Sequence, residues 1–141
     1  MHIRILFSIF TMVLFLSSYA AHAEENYAPE INRALFALEV IDKEPSQAIT
    51  FLQQEVDHVL FFSEVSGLAG HTIRHRWLYD NKVYSEVSFN IGADHWRVWS
   101  SKRMSPSRSG TWTAQLLDDY DNILATRSFN YLSPPVQNGS Y

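Results

Sequence analysis

The chain has 141 residues, 46% hydrophobic and 14% aromatic, with a formal net charge of −4. It contains no cysteine, which excludes disulfides, thiolate metal sites, thiol catalysis and a lipid-modified N-terminal cysteine. A mildly acidic chain also argues against nucleic acid as a partner.

Met1–Ala23, MHIRILFSIFTMVLFLSSYAAHA, has the form of a secretory signal peptide. Arg4 supplies the basic region. Ile5–Leu16 is an apolar run of about a dozen residues, within the ~7–15 of a signal core and short of the ~20 needed to span a bilayer. Ala21-His22-Ala23 is an A-x-A site, so cleavage is expected after Ala23. The other reading is an uncleaved anchor, which the short run disfavours. The expected location is the periplasm or the exterior, with no stable membrane span after cleavage. Residues 24–141 fit one domain of ~100–150 residues.

Residues 24–32 form a polar lead-in. Arg33–Ile41 (RALFALEVI) fits either a strand or a helical turn, because both periods find apolar matches. Pro45 ends it, since the residue before proline is pushed out of the helical region. Ser46–Gln54 starts with an N-cap serine and is expected to be one short helix. His58–Val65 (HVLFFSEV) is a β-rich run closed by the turn at Gly67 and Gly70. Thr72–Tyr79 alternates, with Ile73, His75, Trp77 and Tyr79 inward and Arg74, Arg76 and Leu78 outward.

Asp80-Asn81 is a two-residue hairpin signal, because both residues tolerate positive φ. Val83–Ile91 alternates with Val83, Val87, Phe89 and Ile91 inward and Tyr84 and Glu86 outward. In His95–Arg103 (HWRVWSSKR), Trp96, Val98 and Ser100 make the apolar parity, leaving Arg97 and Trp99 outward. Pro106–Gly110 is a loop. Thr111–Leu117 sets Trp112, Ala114 and Leu116 on one face, and Ile123–Tyr131 does so with Ala125, Phe129 and Tyr131. Asp118–Asn122 between them is an Asx-rich turn, where solvation accounts for the Asp118-Asp119 pair. Residues 132–141 are a tail carrying a weak glycosylation tripeptide, Asn138-Gly139-Ser140. Six or seven strands spaced ~8–12 residues apart indicate an all-β protein: a single immunoglobulin-like β-sandwich of about seven strands.

The series EP, FF-x-E-V, G-H-T-x-x-H-R-W, W-R-V-x-S-S-K and G-x-W over Arg33–Tyr131 resembles the bacterial domain of unknown function 2914. The resemblance implies a small exported or membrane-attached β domain of the bacterial envelope, with no established activity and hence no catalytic residue to carry over. This chain departs from the family in lacking a span after the signal and in having Asn81 where a glycine is common.

Cleavage of the signal would remove Arg4, leaving ten Lys/Arg against fifteen Asp/Glu, a net of −5. Ile73–Arg108 alone carries seven basic and three acidic residues, a net of +4. A basic centre in an acidic chain points to an anionic partner, or the two signs neutralise each other within the fold. The expected binding surface is Arg76, Arg97, Trp99, Lys102 and Arg103, with Arg74 and Arg76 in a basic ladder beside Arg97 if their strands share a sheet. The competing reading is cross-strand pairing with Glu86. His71 and His75, some 13 Å apart on one strand, are too far apart to share an ion, so no metal or other cofactor is expected; His75 is expected to be a hydrogen-bonded core histidine. No G-x-S-x-G, H-E-x-x-H or glycine-rich phosphate loop is present. The function expected is therefore a non-enzymatic binding module for an envelope protein or anionic polymer. The alternatives are an envelope glycan or cell-wall hydrolase, and a structural subunit pairing by an edge strand.

Overall fold

The structure is a computed structural model, described here over residues 27–132. The signal-peptide reading of residues 1–23 and the tail tripeptide at Asn138 lie outside the described residues. Ten strands follow in order: β1 Glu30–Ala37, β2 Val40–Ile41, β3 Glu44–Pro45, β4 Phe51–Gln53, β5 His58–Ser66, β6 Thr72–Tyr79, β7 Lys82–Asn90, β8 His95–Arg103, β9 Gly110–Leu117 and β10 Ile123–Leu132. A three-residue 3-10 turn, Pro106–Arg108, separates β8 from β9.

Sheet one has the order β1-β5-β8 and sheet two the order β4-β10-β9-β6-β7. All pairings are antiparallel except β4 with β10. The chain makes hairpins at β2-β3, β6-β7 and β9-β10 and otherwise crosses between the two sheets. This is the Greek-key connectivity of an immunoglobulin-like sandwich, with β1, β5 and β8 facing the sheet that holds β6, β9 and β10. The hairpin at Asp80-Asn81 forms as its residue types require, with φ of 48° and 60°.

The inner faces follow the period of two. Val59, Phe61, Val65, Ile73, Trp77, Trp112, Ala114, Leu116, Phe129 and Tyr131 are buried, and Phe36 joins the sheets through ring contacts with Phe61, Trp77 and Phe129. At the centre lies a polar knot. His75, fully buried, meets Ser63 Oγ at 3.0 Å through Nε2 and Ser100 Oγ at 2.9 Å through Nδ1. The Trp77 indole N–H donates to the same Ser100 oxygen at 2.9 Å. His75 and Trp77 belong to sheet two, and both serines to sheet one. A neutral ring satisfies the whole chain: Trp77 donates to Ser100, Ser100 to His75 Nδ1, and His75 Nε2–H to Ser63.

Four expectations about local structure are corrected. Ser46–Gln54 is not a helix. The Ser46 hydroxyl turns back to accept from the N–H groups of Leu38 and Glu39, Ile49 bridges to Phe36, and only Leu52 of β4 is buried. The β-branched pair Ile49-Thr50 and this alternation suit an extended edge. Val83 points outward and is 59% exposed, while Tyr84 turns its ring edge-on to Trp112. A bulge opposite Trp77/Leu78 inserts one residue and reverses the parity of the strand's start. Trp96 is 38% exposed, not in the core. Its parity is inward, but it sits at the open end of the sandwich, where its ring lies over Gly92; a Cβ there would come within 3.0 Å of the indole. Asp118 is buried rather than solvated, accepting from Tyr27 Oη, the N–H of Tyr120, and both the backbone and the side chain of Asn122.

Burial lowers the His75 pKa from 6.5 to about 3. The unfolded chain therefore binds a proton that the fold refuses. Stability from this group is full above pH 6.5 and is lost as pH falls toward 3. Urea titrations at pH 7 and pH 5 should differ by about 2 kcal/mol, at ~1.4 kcal/mol per pH unit below the unfolded pKa. His75→Gln should flatten that difference; equal stability of the wild type at both pH values would refute the assignment.

Candidate binding surface on sheet one

The middle strand of sheet one is buried on both faces. Phe62 and Glu64 point away from the core yet are 0% and 6% exposed. Phe62 lies between the Arg33 guanidinium, 5.1 Å from its ring centroid, and Trp99, stacked at 14° with centroids 6.4 Å apart. Glu64 is held by Arg33 on β1 and Arg97 on β8, its direct register partners on either side. His95 Nε2 adds a third contact at 2.7 Å. The β2-β3 hairpin turns at Asp42 and Lys43, both at positive φ, and lays Glu44 against Arg33 at 2.8 Å and Arg97 at 2.9 Å. Two arginines and two glutamates thus close a ring across three strands and a hairpin.

Burial raises the Glu64 pKa, but the hydrogen bonds from Arg33 and Arg97 outweigh it and hold the carboxyl below its ordinary value. The hydrogen bonds that Arg33 donates to Glu44, then to Glu64, raise its pKa.

The residues expected to make one site are divided by the fold. Arg76 lies on β6, in sheet two, and pairs with Glu86 on β7. Arg74 beside it bonds both Glu86 and Asp121. The basic ladder across Arg74, Arg76 and Arg97 therefore does not form, because their strands lie in different sheets; cross-strand neutralisation by Glu86 takes its place. Lys102 is on the inward parity of β8. Its ammonium donates to Ser85 Oγ at 2.6 Å and sits 4.8 Å from the Tyr84 ring centroid, and burial lowers its pKa. Arg103 is exposed at the far end of β8, opposite His58. Of the expected set, only Arg97 and Trp99 come together.

What joins them escaped the sequence pattern. Lys43, His95, Trp96, Arg97 and Trp99 line a shallow concavity of about 320 Å³. Trp96 reaches it from the core side of β8 and Trp99 from the outer side, and they are 38% and 39% exposed. Lys43 arrives only through the β2-β3 hairpin. The one available signal for the ion-pair ring was Glu64, a lone charge inside the apolar run HVLFFSEV.

Residues 70–131 match the family model DUF2914, a protein of unknown function. The matched DUF2914 segment holds β6 to β10 and, with them, His95, Trp96, Arg97 and Trp99; Arg33, Lys43, Glu44 and Glu64 lie before it. The resemblance read from the motifs is thus found from Gly70 onward. No curated protein matches the chain. Among solved structures, a crystal structure of the CARDB domain of a Pyrococcus furiosus protein in complex with di-metal ions aligns at 12% identity, covering 77% of this chain and 97% of that one, with a TM-score of 0.45. A solution NMR structure of the same domain aligns at 13% identity over 74% and 95%, with a TM-score of 0.42.

Removing the central carboxylate takes from Arg33 and Arg97 the partner they share on the middle strand. Glu64→Ala should destabilise the domain by about 2–3 kcal/mol, the cost of breaking a largely buried pair discounted for the partly exposed arginines. Glu44→Ala, at the exposed end of the ring, should cost clearly less. Thermal or urea unfolding compares the two; equal losses would mean that Glu64 does not anchor the ring.

Proposed function

We propose that this chain is an exported, non-enzymatic binding module of the bacterial envelope, and that its contact surface is the concavity between Trp96 and Trp99. The observation that carries this reading is the pair of half-exposed tryptophans, held on a rigid strand and flanked by Lys43, His95 and Arg97. Large aromatics kept partly in water beside cations are typical of recognition surfaces. Trp99 is preorganised by Phe62 beneath it and Arg97 by Glu64 and Glu44, so little freedom is lost on contact. The signal-like start of the sequence supports export. Among the described residues no helix is long and apolar enough to cross a membrane.

The hydrolase alternative has its best case in Ser66, His95 and Glu64, which form a chain at 3.3 Å and 2.7 Å. Two features weigh against it. The Ser66 hydroxyl donates to Asn32 Oδ1 at 2.9 Å, leaving its oxygen to accept from His95, the reverse of a nucleophile–base pair. Glu64 is already engaged by two arginines. The structural-subunit alternative draws on β7, a nine-residue edge strand of sheet two with Val83 59% and Val87 37% exposed.

Mature protein on a matrix should retain a component of envelope extract that Trp99→Ala releases, while both proteins melt at similar temperatures. Retention by β7 would instead survive Trp99→Ala and be lost on Val83→Lys. Equal retention by wild type and both variants would exclude either surface.

A further inference from the structure

We infer that the Trp96–Trp99 concavity takes an acidic saccharide, a chain of pyranose rings bearing carboxylates. This rests on the binding-module reading and adds the ligand class. Three observations lead to it. The first is the donor inventory. The side chains lining the concavity are Lys43, His95, Trp96, Arg97 and Trp99. Lysine, arginine and indole groups donate and cannot accept, and no carboxylate or amide side chain lines the space. His95 Nε2 already faces Glu64 and Nδ1 faces Ser66. A neutral sugar, whose hydroxyls need acceptors as well as donors, would leave donors unpaired here. A carboxylate-bearing sugar supplies acceptors alone at the points where Lys43 and Arg97 can reach it.

The second observation is the position of the rings. Trp99 is covered on one side by Phe62, which leaves its other face for a flat apolar partner such as the CH face of a pyranose. Trp96 and Trp99 are three residues apart on β8, roughly 10 Å along the strand. Both indoles line the same concavity, so a ligand seated there meets two aromatic side chains that leave β8 on opposite parities.

The third is local charge. Arg33, Arg97, Glu44 and Glu64 neutralise one another around the ring of ion pairs. Lys43 has no carboxylate partner among the described residues and sits on the hairpin tip at the rim. Among the described residues that line the mouth, the charge left without a carboxylate is therefore positive and belongs to Lys43. A preorganised, neutral platform with a lysine at its edge that has no carboxylate partner among the described residues selects for a ligand that combines an apolar face with a negative group.

The test is titration of the mature chain with oligogalacturonate, followed by intrinsic tryptophan fluorescence and by calorimetry, beside the same length of neutral cello-oligosaccharide. The expected result is saturable binding of the uronate, weakened by added salt, with the neutral chain at least tenfold weaker. Trp99→Ala and Lys43→Glu should each reduce uronate affinity about tenfold or more. Lys43 is an exposed hairpin residue, so its substitution tests the surface without touching the core. Equal binding of both saccharides would overturn the acidic selectivity. Failure of both, while the envelope component is still retained through Trp99, would overturn the saccharide assignment and leave the binding-module reading standing, with a protein as the ligand. Failure of both together with loss of Trp99-dependent retention would remove the two readings at once.

Discussion

Two sheets with no cysteine between them must be aligned by what their inner faces bury, and in this domain the alignment turns on His75. A buried imidazole has two directional groups and few ways to satisfy both. Ser63 and Ser100 come from adjacent strands of the opposite sheet, and Trp77 closes the set from the histidine's own strand. Apolar contacts alone would let one sheet slide over the other at small cost, because hydrophobic burial has no direction. The hydrogen-bonded histidine makes one offset better than its neighbours. It also makes the fold sensitive to acid, because a charged ring cannot accept from Ser100.

The offset set by His75 decides what the far side of sheet one can do. Strand β8 contributes Ser100 and Val98 to the core, so Arg97 and Trp99 must face out. Glu64 then lies between Arg33 and Arg97 by register, and Phe62 lies under Trp99. A glutamate on the outer face of a middle strand would normally be solvated. Here the β2-β3 hairpin folds over it, and the arginines on both sides compensate its burial. The binding surface is thus a by-product of strand order: the ion-pair ring makes a stiff floor, and the tryptophans stand on its edge.

The five residues expected from the sequence to act together show where pattern reading stops. Alternation correctly separates Arg97 and Trp99 from Val98 and Ser100, because a side chain's face depends only on its parity. Parity does not say which sheet a strand joins, so Arg76 is outward but on the opposite side of the sandwich. Nor does it hold through a bulge or at a strand's open end, which accounts for Tyr84 and Trp96. Charge composition does not locate the surface for a related reason. Five of the seven basic residues in Ile73–Arg108 are spoken for: Arg74, Arg76 and Arg97 by carboxylates, Lys102 by Ser85 and the Tyr84 ring, and Arg108 by the same ring.

The all-β class, the Asp80-Asn81 hairpin, the buried tryptophans Trp77 and Trp112 and the internal role of His75 were determined by the sequence itself. Each rests on local physics: period-two burial, left-handed turn residues, or a polar ring on an apolar face. The tertiary structure alone decided the assembly of the surface. Lys43 and Glu44 approach Arg97 across more than fifty residues of chain, and Glu64 meets two arginines only because three separate strands share a register. Such contacts depend on strand order and on how a hairpin folds back, and neither leaves a periodic trace in the residues that make them.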